Sequence, residues 1–184
     1  LAATICGVPV ALVGMVDSDV QWFTAAVGRD TTPTPREHTF CTHAILGDGL
    51  FEVDDALVDP RFRDNPLVRS EPGIRYYAGV PLTNREEGAA IGTLCVVDYR
   101  PRRLEAHQQL ALEQLGTMLN HLLQARQGWL RENAAQRETE RRLRTIADNL
   151  PAAICYIDAE RRYRFNNRWY AKWLDRPIEE ITGR

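Results

Sequence analysis

Three residues of metal-ligating type fall within six positions, His38, Cys41 and His43. Imidazole nitrogen and thiolate sulfur are the donors that zinc and redox metals take, so this H-x-x-C-x-H run is the first chemistry the chain offers. The competing reading is packing. Cys41 sits in an apolar stretch from Phe40 to Leu46 that reads as a short helix laid on a sheet, where a thiol needs no metal. The packing reading is preferred, and no metal is expected. The other cysteines, Cys6, Cys95 and Cys155, form no CxxC pair and mostly lie in apolar runs. Such spacing suits reduced thiols of a cytoplasmic protein rather than a disulfide framework. Cys95, between Leu94 and Val96, reads as a core thiol in mid-strand. Two-thiol redox chemistry would need the fold to bring Cys41 and Cys95 together as attacking and resolving groups.

The elements that must position these residues follow from punctuation and periodicity. Val8 to Asp17 is apolar and rich in valine, and Val20 to Val27 follows it after Asp17-Ser18-Asp19, a hairpin signal. A polar, proline-bearing stretch, 29–36, breaks the pattern, and Thr39 is placed to cap the helix from Phe40 to Leu46. Leu50 to Val53 is a brief strand. Residues 54–73 carry Pro60, Pro66 and Pro72 among Asp and Arg, which reads as a long functional loop with helical turns. Ile74 to Leu82 and Ala90 to Val97 form a second hairpin through Arg85-Glu86-Glu87-Gly88.

From Leu104 to Leu150 there is no proline, and the composition is that of a helix. At 1.5 Å per residue it would run roughly 70 Å, more than one small domain can cover. A 3-4 spacing through Leu112, Leu115, Leu119, Leu122, Arg126, Trp129, Asn133, Gln136, Glu140, Leu143, Ala147 and Leu150 makes a seam, apolar at both ends and polar in its middle. Polar core positions weaken a coiled coil but set its register. The part from Leu110 to Leu123 is expected to cover its own domain. The rest, with Trp129, Asn133, Leu143, Ala147 and Leu150, is expected to pair with a second copy in a homodimer. Pro151 ends the helix, and Ala153 to Ile157, Arg162 to Phe165 and a helix capped by Asn166 or Asn167 begin another unit.

The 184 residues, with 44% hydrophobic and 26% charged side chains, exclude disorder and collagen-like repeats. A net charge of -2 argues against a general nucleic-acid or anionic-membrane binder. The longest apolar stretch, Val8 to Val16, is half of what a membrane-spanning helix needs. With Leu1 first and no basic leader, the chain reads as an internal piece of a longer protein.

Several strings together carry a resemblance. They are Val8-Pro9-Val10-Ala11-Leu12-Val13, Gln21-Trp22-Phe23, Phe40-Cys41-Thr42-His43-Ala44-Ile45, Val53-Asp54-Asp55-Ala56 and Asp59-Pro60-Arg61-Phe62. They continue with Asn65-Pro66-Leu67-Val68, Ile74 through Leu82, and Ile91-Gly92-Thr93-Leu94-Cys95-Val96-Val97-Asp98. Residues 1–127 thereby resemble a GAF domain with an incomplete amino-terminal helix, overlapping the connecting helix 104–150. Residues 151–184, preceded by Ile146-Ala147-Asp148-Asn149-Leu150-Pro151, are similar to the first part of a PAS domain through Tyr156-Ile157-Asp158, Tyr163-Arg164-Phe165-Asn166-Asn167 and Ile181-Thr182-Gly183-Arg184.

The resemblance implies an α+β fold: an antiparallel sheet flanked by helices, a ligand cavity roofed by 54–73, a long coiled-coil helix and a partial PAS-like fragment. It implies a cavity lined by Trp22, Phe40, His43, Asp55, Asp59, Arg61, Phe62 and Tyr76 or Tyr77, with Asp59 and Arg61 orienting a polar ligand or simply pairing in the loop. Adjacent in a strand, one tyrosine faces inward and one outward. Cyclic GMP is not expected, because no lysine precedes Lys172 to match the cyclic-nucleotide signature. Nor is covalent bilin, because 54–73 holds no cysteine. The function implied is a non-catalytic sensory and dimerisation module. It would bind an unidentified small molecule and drive an absent histidine kinase or diguanylate cyclase. A ligand-free dimerisation scaffold is the second reading, and a GAF-type methionine sulfoxide reductase the third.

Overall fold

The structure, a computed structural model, describes residues 1–84 and 88–184, and divides into two compact units, Leu1–Arg126 and Gln127–Arg184. The turn expected at 85–88 falls on residues 85–87, outside the described residues.

The first unit is built on one antiparallel sheet. Its strands are β1 (Val10–Val16), β2 (Val20–Val27), β3 (Thr34–Pro35), β4 (Phe51–Val53), β5 (Tyr76–Thr83) and β6 (Ala90–Asp98), in the order β3-β2-β1-β6-β5-β4. Around it lie α1 (Ala2–Cys6), α2 (Cys41–Ala44), α3 (Pro66–Arg69) and the start of α4 (Ala106–Asn149). Strand residues alternate between two cores. Ala11, Tyr76, Ala78, Val80, Leu82, Leu94 and Val96 face α1 and Leu112 of α4. Val10, Leu12, Tyr77, Cys95 and Val97 face Phe40, Cys41, Ala44 and the roof residues Ala56, Phe62 and Val68. Both faces being covered, Tyr76 and Tyr77 are both buried. This corrects the inward-outward expectation: the tyrosines point opposite ways, but neither meets solvent.

Gly116 is what brings α4 so close. A Cβ there would come within 2.5 Å of Val80 Cγ2. At the edge of the sheet, Glu52 faces the same side as Ala78, its partner on β5. Its carboxylate accepts from Tyr76 Oη at 2.7 Å, the Leu104 backbone N–H at 2.8 Å and Gln109 Nε2 at 3.0 Å. It thereby ties β4 to the entry of the long helix.

Two local expectations need correcting. Thr39 does not cap α2, whose first residue is Cys41. Its hydroxyl instead donates to Arg36 O at 3.0 Å and pairs with Thr42 Oγ1 at 2.9 Å, closing the 3-10 turn Arg36–His38. In the proposed seam, Leu112 is fully buried and Leu115 and Leu119 pack on the same core, as does Leu123 beside the seam, so these positions are occupied by the chain's own sheet. Farther along, Leu122, Trp129, Leu143 and Leu150 are exposed, Trp129 by 62%.

In the second unit, β7 (Cys155–Ile157) and β8 (Tyr163–Asn166) form a hairpin, followed by α5 (Arg168–Leu174) and α6 (Ile178–Ile181). Asn167 organises it. Its Oδ1 accepts from Ile154 N and Tyr170 N, capping α5, while Nδ2 donates to Ala147 O and Ala152 O. All three β7 residues are exposed.

Candidate functional site

Between the sheet and its roof lies a cavity of about 60 Å³. Leu12 of β1, Gln21 and Phe23 of β2, Tyr77 of β5, and Cys95 and Val97 of β6 supply its floor; Phe40, Cys41, Leu67 and Ile74 wall it, and residues 29–34 form its mouth. The β-ladder explains the floor. Leu12 pairs with Cys95 and Cys95 with Gly79, two residues along from Tyr77, so residues that are distant in sequence meet on one face. Gly79 leaves the room that the Tyr77 ring needs, since a Cβ there would overlap the tyrosine hydroxyl.

The chemistry of this floor centres on Cys41. Its Sγ accepts from Thr93 Oγ1 at 3.0 Å, Gln21 Nε2 at 3.1 Å and Tyr77 Oη at 3.3 Å, and Cys95 lies in the same buried cluster. With the neighbouring Cys95 thiol foremost, these groups outweigh the cost of burial and bring the Cys41 thiol down to about 6. The same contact, together with burial, pushes Cys95 well up, so it keeps its proton. Burial and the neighbouring thiols likewise push Tyr77 up. The arrangement is one sulfur held by a ring of donors that favour its thiolate form. Among the described residues, Gln21 Oε1 is buried without a hydrogen-bond partner.

Of the residues the sequence nominated, Phe40 and Tyr77 line the cavity. Phe62 is buried beside it, stacked on Phe40 with ring centroids 4.3 Å apart. His43 packs edge-on against Phe62, and burial with the nearby Arg61 charge lowers its pKa. Asp59 and Arg61 form a two-pronged pair at 3.0 and 2.6 Å, and Arg61 also lies over the rings of Phe51 and Phe62. Hydrogen bonding to Arg61 holds Asp59 below the usual carboxylate range. Asp55 is held down similarly by Arg75, through bonds of 2.8 and 2.7 Å. These charges brace the roof. Tyr76 faces the other core and bonds Glu52, and Trp22 is 52% exposed on the side of β2 away from Gln21.

Gln21, Thr93 and Thr39 are the polar residues the sequence reading passed over. The signal for Gln21 was available: it is two residues from Phe23 and so shares its face. The H-x-x-C-x-H run does not converge. His38 contributes its carbonyl to Asn65 Nδ2 at 2.9 Å, and among the described residues no three His, Cys, Asp or Glu side chains are grouped as a metal site requires.

An antiparallel sheet with a long helix on one face and a roofed cavity on the other defines a class of α+β domain built around an internal pocket. A family model for the GAF domain matches residues 1–123, and the chain belongs to the GAF domain family. It is 52% identical over 104 residues to a cyclic di-GMP phosphodiesterase of Pseudomonas aeruginosa, a match covering 56% of this chain and 18% of that relative's length. The GAF-B domain of DevS from Mycobacterium smegmatis superposes with a TM-score of 0.53 at 16% identity, covering 71% of this chain and 90% of that one. A free methionine-R-sulfoxide reductase from Neisseria meningitidis gives 0.53 at 23% identity, over 66% of this chain and 71% of that one. Those two likenesses are of fold.

Proposed function

We propose that this chain is the input portion of a longer bacterial signalling enzyme, in which a small molecule in the GAF cavity changes the state of α4. The observation that carries it is the two-sided sheet. Tyr77 and Cys95 touch the cavity while their strand neighbours Ala78, Val80, Leu94 and Val96 touch the core that α4 packs on. A ligand that prefers one arrangement of these strands biases the helix by its difference in affinity, no more and no less. The phosphodiesterase relative favours a cyclic di-GMP phosphodiesterase as the absent output, in place of the kinase or cyclase that the sequence reading expected. Residues 151–184 are read as the opening of a PAS domain, supported by the hairpin with its exposed β7. Homodimerisation through the exposed apolar residues of α4 completes the reading.

A screen of the 184-residue chain against small metabolites by thermal shift tests it. Saturable stabilisation by a compound small enough for the cavity is expected, because only native-state binding raises the midpoint. Uniform silence favours the scaffold reading. That reading has its own support: Phe40, Phe62 and Tyr77 fill much of the space, leaving far less than the roughly 300 Å³ at the small end of ligand pockets. The reductase reading has only a shared fold behind it.

A further inference from the structure

We propose that Cys41 and Cys95 form a peroxide-reactive dithiol, in which a small hydroperoxide entering the cavity oxidises Cys41 and Cys95 closes a disulfide onto it. The inference deepens the sensory reading, on which it rests for the cavity as the point of input.

Four observations converge. First, Cys41 Sγ is the target of donors from Thr93, Gln21 and Tyr77. A sulfur ringed by donors is favoured in its thiolate form, and the thiolate is the nucleophile toward peroxide. Second, the partner thiol is already there: Cys95 is free, buried in the same cluster as Cys41 and lines the same cavity. Third, Gln21 is 1% exposed and lines the cavity, and its Oε1 has no partner among the described residues. Such an acceptor suits a ligand that brings an O–H. Fourth, the size fits: at about 10–15 Å³ per water, a cavity of about 60 Å³ holds roughly four to six waters, room for hydrogen peroxide and not for a nucleotide. The exposed Arg29, Asp30 and Thr32 at its mouth leave a way in. Cys6 provides the contrast, since it lies in the other core and burial raises its pKa.

The chemistry balances. The Cys41 thiolate attacks one peroxide oxygen; the S–O bond forms as the O–O bond breaks, and the second oxygen leaves as hydroxide, protonated by solvent. Sulfur is oxidised to the sulfenic acid and the peroxide is reduced. Neutralising Cys41 also removes the charge that kept Cys95 protonated. Cys95 sulfur then attacks Cys41 sulfur, the S–S bond replaces S–O, and the displaced hydroxyl leaves as water with the Cys95 proton.

The test treats the full chain, carrying Cys155→Ser to remove the exposed cysteine, with hydrogen peroxide and follows peptide masses. Expected is a Cys41–Cys95 crosslink with the loss of two hydrogens, reversed by a dithiol reductant. Adding Cys95→Ser should halt the reaction at a Cys41 sulfenic acid trapped by dimedone. Thr93→Val keeps both thiols and removes one donor, and should slow the reaction several-fold. Oxidation of Cys6 as fast as Cys41, an unchanged rate in Thr93→Val, or a disulfide formed by free methionine sulfoxide but not by peroxide would each overturn the inference. Those results leave the sensory reading standing. Conversely, silence in the metabolite screen with an intact peroxide reaction counts against reversible ligand sensing and not against this chemistry.

Discussion

At the scale of single residues, Cys41 couples ionisation to folding. In the native chain its thiol releases the proton near pH 6, whereas unfolded it holds it to near 9. Between these values the unfolded state binds the extra proton, so stability rises with pH across the window and is lost as pH falls toward 6. His43, lowered from 6.5, contributes in the same direction only below that value, which leaves the upper part of the window to Cys41. The thermal midpoint should therefore climb above the histidine range, and Cys41→Ala should flatten the climb. Phe62 is a different kind of residue. Buried between Phe40 and His43 with the Arg61 guanidinium over its ring, it holds the roof without any hydrogen bond of its own side chain. Phe62→Ala should cost about 3–5 kcal/mol in denaturant unfolding, because the roof cannot collapse onto the vacated ring volume without moving Phe40.

Among the elements, the β4 edge and the Gly116 contact hold α4 to the sheet. Glu52→Leu strands the Leu104 N–H and the Tyr76 hydroxyl, and should destabilise by about 1–3 kcal/mol for each group left buried and unpaired. Gly116→Val drives a side chain into Val80 and should cost about 1–3 kcal/mol by overpacking, read by the same unfolding curves. These elements were largely legible. β2 spans Val20–Val27 as the hairpin signal before it predicts, Asn167 is one of the two expected caps, and α4 runs within two residues of its expected ends. What escaped was the burial of both faces of β5. An uninterrupted Tyr76-to-Leu82 apolar run is its signature, since a half-solvated strand would alternate. The polar cluster beside the cavity escaped for another reason: Gln21, Thr93 and Cys95 meet only through the register of β1, β2 and β6, which turn chemistry and bulges decide, and Cys41 reaches them from α2. One such bulge lies between Val13 and Gly14. The aromatic Trp22, by contrast, drew the sequence reading to the outward face.

For the molecule as a whole, the exposed Leu122, Trp129, Leu143 and Leu150 of α4 set the expectation of self-association. Sedimentation should detect a dimer, and Trp129→Glu with Leu143→Glu should return it to a monomer without changing the melting of the GAF unit; a monomer at high concentration would refute the pairing. The boundary between the two compact units, after Arg126, falls inside α4 and not in a loop. A protease needs an extended stretch of backbone, so this junction can be cut only where the helix first unwinds. Limited digestion should then leave the two units joined long after loop tips are nicked, and the rate at which the junction finally yields would measure how often the helix opens there.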